Sequence, residues 1–108
     1  MTRISDVASV IRSKNAGPYE LTFDIIFKDR HWYDEALRRD LINPALIARL
    51  YGVPERDVLG IVAFAPANAI KATIKRPLVS GDIGETDVYG AQQHAPLLTI
   101  SFDEDPAR

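Results

Sequence analysis

The chain contains no cysteine, and this absence excludes several kinds of chemistry at once. Disulfide bridges, thiolate nucleophiles and cysteine-ligated zinc or iron–sulfur centres all require that residue. Histidine is also scarce, with two in 108 residues. Any catalytic chemistry therefore depends on histidine, carboxylates, lysine, arginine, hydroxyl groups or side-chain amides.

An excess of positive charge is also lacking. Thirteen basic and fifteen acidic residues leave a formal net charge of −2, whereas proteins that bind nucleic-acid backbones concentrate positive charge. The N-terminus has no apolar signal-peptide run, and no apolar stretch approaches the length that spans a bilayer. We therefore expect a cytoplasmic protein that binds neither nucleic acid nor membranes.

The length of the chain suits a single domain. We expect residues 1–102 to form one α+β domain and residues 103–108 to be an acidic, flexible tail. Near the N-terminus, Ser5 can cap a short helix that ends before Gly17. Its apolar face would consist of Val7, Val10 and Ile11.

From residue 19 to residue 28, apolar and polar residues alternate, with Ile26 as the exception. This period of two predicts a strand with one buried face. Two helices are predicted next. Asp29 can cap the first, and Asn43 can cap the second, which should end at Gly52.

The C-terminal half predicts three further strands. Residues 58–64 are apolar on both faces, and residues 70–75 alternate after a turn at 66–68, which together indicate a hairpin. A last strand is predicted over residues 97–102, after a long connection at 78–96.

This order of elements matches the ferredoxin-like sandwich, in which a four-stranded antiparallel sheet carries helices on one face. The first and third predicted strands, counted from residue 19, would be neighbours. Their pairing places Glu20 and Asp24 on the same uncovered face as Lys71 and Lys75, where opposite charges attract across the strands. The second strand is apolar on both faces, which favours a homo- or hetero-oligomer.

Residues 87–96 form the first of two polar clusters. They contain two amides, an imidazole and a phenol, which are costly to bury unless they bind something. Here His94 is the candidate acid or base, and Gln92 and Gln93 are candidate donors to a carboxylate or carbonyl. In the alternative interpretation, the amides satisfy backbone groups at a turn or a helix end.

Residues 12–18 form the second cluster, in which Arg12 and Lys14 could anchor a carboxylate or phosphate, with Asn15 beside them. The alternative is a basic helix C-terminus that precedes a turn. Ser80 and Tyr89 could donate hydroxyl groups to a ligand, although such residues also close turns.

Neither histidine indicates a metal site. His94 has no companion at the spacing of metal ligands, so we expect no metal site and no cofactor. His31 lies beside charged residues at a predicted helix start and is expected at the surface.

Four motifs give the chain a resemblance to a known family. They are Arg12-Ser13-Lys14-Asn15-Ala16-Gly17-Pro18, Leu50-Tyr51-Gly52-Val53-Pro54, Asp57-Val58-Leu59-Gly60-Ile61-Val62 and Asp87-Val88-Tyr89-Gly90-Ala91-Gln92-Gln93-His94-Ala95-Pro96-Leu97-Leu98. In these motifs the chain resembles a family of small bacterial proteins catalogued as a domain of unknown function. Members tend to be encoded beside, or fused to, larger proteins of the acyclic terpene utilisation A (AtuA-like) type, in catabolic operons for organic acids. The resemblance implies a small subunit and assigns no catalytic residue.

The leading hypothesis is a small subunit of a heteromeric bacterial catabolic enzyme with an AtuA-like partner. The enzyme would be a lyase or hydro-lyase acting on a carboxylate or acyl-thioester substrate, with the 78–96 connection and the 12–17 loop at a shared site. One alternative is a non-catalytic interaction or regulatory module that forms a homo-oligomer. Another is a small enzyme that is complete as a homo-oligomer.

Overall fold

Seven helices and strands make up the computed structural model, which describes residues 2–16, 19–75 and 95–102. In chain order they are α1 (Ile4–Val7), β1 (Ala8–Asn15), β2 (Glu20–Phe27), α2 (Arg30–Arg38), α3 (Pro44–Tyr51), β3 (Val58–Phe64) and β4 (Ala69–Lys75). Short 3-10 helices lie at Glu55–Asp57, Ala65–Ala67 and Ala95–Thr99.

The strands form one four-stranded antiparallel sheet in the order β1-β2-β4-β3. Two hairpins, β1–β2 and β3–β4, are joined by pairing of the central strands β2 and β4. In that central pair Glu20 lies opposite Lys75 and Asp24 lies opposite Lys71. The α+β class, the antiparallel sheet and the predicted charge pairs are therefore confirmed.

The core lies between one face of this sheet and the helices. β2 and β4 supply alternate side chains to it, and α2, α3, α1 and the C-terminal segment cover them. The fully buried large side chains are Phe23, Phe27, Ile4, Ile25, Ile47 and Leu97. Each such side chain contributes about 1.5–3 kcal/mol of hydrophobic stabilisation.

Local signals place the ends of α2 and α3 where the sequence predicts them. The Asp29 side chain accepts a hydrogen bond from the Trp32 backbone at 3.1 Å, and Asn43 accepts one from the Leu46 backbone at 2.8 Å. Gly52 ends α3 with a φ of +64°. That left-handed conformation is accessible to glycine without strain. Of the helices described here, none has the length and apolar character needed to cross a membrane.

The N-terminal segment differs from its prediction. The helix ends at Val7, and residues 8–15 form β1, so the prediction of a helix through Ile11 and a loop at residues 12–17 is wrong for the described part. Residues 8–15 do not alternate between apolar and polar residues, so no strand pattern is present in the sequence, but pairing with β2 supplies backbone hydrogen bonds to this segment. Tertiary pairing therefore outweighs a weak local helix preference.

The predicted last strand at residues 97–102 is also wrong. Residues 95–99 form a 3-10 helix, and one isolated bridge joins Ser101 to Arg3. The edge of β2 that does not pair with β4 is occupied by β1. The segment still contributes to the core, because Leu97, Ile100 and Phe102 are buried. A ferredoxin-like sandwich requires that last strand, whereas the observed fourth strand is N-terminal.

Candidate functional site

The sheet face opposite the core carries most of the polar side chains that the strands display, and we call it the open face. Cross-strand register arranges it in rows. The first row is Arg12, Asp24, Lys71 and Val62, and the second is Lys14, Thr22, Thr73 and Gly60. An apolar row of Val10, Ile26, Ala69 and Phe64 lies beside the first. The described helices direct their buried side chains to the other face.

An ion pair lies in the first row. Nε of Arg12 donates to Oδ2 of Asp24 at 3.1 Å, and the side chains are 58% and 9% exposed, respectively. A nearly buried carboxylate requires a cationic or hydrogen-bonding partner. Arg12 supplies it through Nε and still exposes much of its guanidinium group to solvent. The pair therefore orients an accessible cationic fork on the open face.

Hydroxyl groups lie in the second row. Oγ1 of Thr22 and Oγ1 of Thr73 are 3.4 Å apart, a long hydrogen bond in which either can be the donor. Lys14 lies opposite Thr22 on β1 and is exposed. Thr22 is buried, so the exposed Lys14 and the half-buried Thr73 are the groups of this row that a ligand could reach.

The open face has a charge of opposite sign to that of the whole chain. Among the described strand residues of this face, Arg12, Lys14, Lys71 and Lys75 carry four positive charges, against two negative charges on Glu20 and Asp24, which leaves +2. The chain as a whole carries −2. This asymmetry concentrates positive potential on one face, where anions are attracted.

Two of the predicted anion ligands come together on this face. Arg12 and Lys14 both lie on the open face of β1, two residues apart. Asn15 lies opposite Leu21 in the register, on the core side of the sheet, and so is not grouped with them. The other predicted site residues, Ser80, Tyr89, Gln92, Gln93 and His94, lie outside the described residues. Their roles stay predictions.

Sequence reasoning did not identify Asp24, Thr22, Lys71 or Thr73 as site residues. It treated Asp24 and Lys71 as a charge pair that supports the topology. The missing signal was the strand character of residues 8–15, because only strand pairing brings Arg12 opposite Asp24.

On the helix side, the charged contacts are structural. Arg38 and Arg39 donate to Oε2 of Glu35 at 2.6 and 3.0 Å. The hydrogen bond from Arg38 is the largest cause, and the one from Arg39 is the next, by which the pKa of Glu35 is lowered from 4.5 to about 2. Arg39 also donates to the Phe102 carbonyl at 2.6 Å and so holds the C-terminal segment against α2.

Ring contacts fix the positions of two further side chains, Tyr51 and His31. Tyr51 stacks on Phe23 with ring centroids 4.4 Å apart, and burial raises the pKa of its phenol. His31 is exposed, as the sequence predicts, and its ring makes a T-shaped contact with that of Trp32. Over the described ranges, no three histidine or carboxylate side chains are grouped so that they could hold a metal ion.

Comparison with known proteins gives one assignment. No curated protein matches the chain, and no solved structure matches it. A family model, described as Domain of unknown function (DUF4387), matches residues 4–101. That range spans every described helix and strand, including the strands of the open face. The chain therefore belongs to the DUF4387 family.

Proposed function

We propose that this protein is the small subunit of a heteromeric bacterial catabolic enzyme and that its open face binds an anionic substrate or partner group. The observation that carries the proposal is the Arg12–Asp24 pair, which is flanked by Lys14 and Lys71 on a face of net charge +2. Oriented guanidinium and ammonium groups recognise carboxylates and phosphates.

The chemistry of these cations supports the substrate class that we propose. A carboxylate matches the planar fork of Arg12, and an acyl thioester of coenzyme A adds phosphates that Lys14 and Lys71 could contact. The hydroxyl groups of Thr22 and Thr73 lie between the strands that hold these cations. Asp24 orients Arg12 and is too buried to meet an anion itself.

The larger subunit is proposed to be an AtuA-like protein, and the reaction a lyase or hydro-lyase step. The family description names neither a partner nor a reaction, so this part depends on the resemblance of the four sequence motifs. His94 is the proposed acid or base, with Gln92 and Gln93 as donors to the substrate carbonyl.

A binding experiment tests the anion site. The double variant Lys14→Gln with Lys71→Gln removes two exposed positive charges from the open face, and Arg49→Gln with Arg56→Gln removes two elsewhere. We expect the open-face variant to weaken binding of acetyl-CoA or succinate about tenfold, since two exposed charge contacts contribute about 1.4 kcal/mol together. Titration followed by amide NMR shifts measures it. Equal effects of the two double variants would contradict the open face as the site.

An assembly experiment tests the subunit role. The tagged chain is co-expressed with the larger protein encoded beside it, and the complex is sized by light scattering. We expect a stable complex whose turnover is lost in His94→Ala while assembly persists. Full turnover by that variant would remove His94 from the chemistry, and failure of the wild-type proteins to associate would refute the subunit role.

A non-catalytic interaction module is the second candidate. The observation that favours it is the exposure of Val62 and Phe64 beside the charged rows. It predicts that Val62→Asp or Phe64→Asp abolishes association, while His94→Ala leaves the turnover of the complex unchanged.

A further inference from the structure

The two edges of the sheet differ in how they are protected. Both edge strands have an irregular register, between Ala8 and Val10 in β1 and between Val58 and Gly60 in β3, so the difference between them is one of charge. On β1, Arg12 and Lys14 are exposed. Exposed charges of this kind discourage pairing with another strand. The other edge strand, β3, contains no charged residue from Val58 to Phe64. Within residues 2–16, 19–75 and 95–102, no strand pairs with its outer edge.

Large apolar side chains are exposed along β3. Leu59, Val62 and Phe64 are 53%, 61% and 57% exposed. Contact between two copies through one edge strand buries a small area, so we expect a weak interface whose formation depends on concentration.

The order of the open-face residues of β3 would let two copies of the strand complement each other. Gly60, Val62 and Phe64 share that face, with Val62 in the middle. A Cβ atom placed on Gly60 would have nothing within 4 Å, so the space above this glycine is open. A ring that enters it would cover the glycine, and aromatic side chains frequently cover edge glycines in this way.

We propose that β3 pairs antiparallel with β3 of a second copy of this chain, about a two-fold axis through Val62. In that register, Phe64 of each copy covers Gly60 of the other, and the Val62 side chains meet at the axis. In two-fold pairing, each β3 residue faces the same residue, or one near it in sequence, in the second copy. Because β3 has no charged residue, this arrangement places no like charges opposite each other. The interface adjoins the anion site, because Val62 lies opposite Lys71, but it uses none of the charged side chains of that site.

The two open faces then lie on the same side of one continuous eight-stranded sheet. A two-fold axis perpendicular to the sheet reverses the strand direction and preserves the face, as antiparallel pairing requires. The two Arg12–Asp24 pairs lie near the outer ends of this sheet, one per copy. The second copy thus satisfies the backbone groups of β3 and covers its apolar side chains.

Sedimentation equilibrium of the purified chain tests the association. We expect the mass to rise with concentration from the 12.0 kDa monomer towards twice that value. Val62→Lys places two ammonium groups at the axis and should leave a monomer with unchanged circular dichroism. Val10→Lys, on the same face of the other edge strand, is the matched control and should dimerise like the wild type. A wild type that is monomeric at every concentration, or a Val62→Lys dimer, would overturn the proposal.

Single cysteines test the register, because the chain has none of its own. Under oxidation, Val62→Cys should cross-link to itself, whereas Val10→Cys should not. A mixture of Gly60→Cys and Phe64→Cys chains should give mainly the mixed dimer. Cross-linking through Val10→Cys, or no mixed product, would show that another edge or another register is used.

Discussion

Replacement of Arg12 by glutamine probes the contact that organises the open face. The substitution removes the positive charge beside Asp24 and keeps a side chain of similar reach. Asp24 would then be a nearly buried carboxylate whose remaining cation is Lys71, opposite it on β4. We expect the free energy of unfolding to fall because the desolvation of Asp24 is no longer offset.

The size of the effect follows from the burial of the two partners. An ion pair between two exposed side chains contributes about 0–1 kcal/mol, whereas a hydrogen bond to a charged group contributes about 1.5–3 kcal/mol. Asp24 is nearly buried and Arg12 is mostly exposed. We therefore expect Arg12→Gln to destabilise the protein by about 1–2 kcal/mol.

Urea unfolding can be followed by the fluorescence of Trp32, the single tryptophan, whose ring centroid is 5.1 Å from that of Phe102. Lys14→Gln is the matched control, on the same face two residues away, and should change stability by less than about 0.5 kcal/mol. Combining Arg12→Gln with Asp24→Asn should reveal a coupling energy of about 1 kcal/mol. Equal stability of Arg12→Gln and Lys14→Gln would refute the assignment of Arg12 as the partner that stabilises Asp24.

Three further predictions concern the core and the helix side. Ile47→Ala, at a fully buried position, should destabilise by about 3 kcal/mol in urea unfolding, and a loss no larger than that of the exposed control Leu37→Ala would contradict the packing. The stability contribution of Glu35 is complete above pH 4.5 and is lost as the pH falls towards about 2, because its folded pKa is lowered. In acid unfolding, the difference in free energy of unfolding between the wild type and Glu35→Gln should therefore vanish across that window. A stability difference that persists below pH 2 would contradict the Arg38 and Arg39 contacts. Burial raises the pKa of Tyr51 above its usual 10.0, so its contribution is present below pH 10 and lost above it. Tyr51→Phe should leave the tyrosinate absorbance that develops near pH 10 unchanged, and a smaller signal would show that the phenol is solvated.

The candidate site was only partly predictable from the sequence. Arg12 and Lys14 are recognisable as anion ligands by their chemistry alone, since any loop or strand can present them. Asn15 was grouped with them because a loop would have held all three together, but a strand directs neighbouring residues to opposite faces. From the sequence, Asp24 is predicted only as a charge that attracts Lys71 on the neighbouring strand. Its role in orienting Arg12 depends on β1 lying on its other side.

Local signals in the sequence determined α2, α3, β2 and the β3–β4 hairpin. A cap such as Asp29 or Asn43, a glycine at a helix end and an alternating pattern each act within a few residues, so they can be read without knowledge of the fold. The pairing of Asp24 with Lys71 also followed, because the neighbouring strands and their period of two specify the register.

Only the tertiary structure decided which segment became the fourth strand. Residues 97–102 carry an alternating pattern typical of a strand, whereas residues 8–15 do not, and β2 has one edge left after it pairs with β4. The N-terminal segment occupies that edge through a short hairpin, whose closure requires less loss of chain entropy than a return from residue 97. Which segment pairs with that edge depends on the whole sheet, so it cannot be predicted from any short stretch of the sequence.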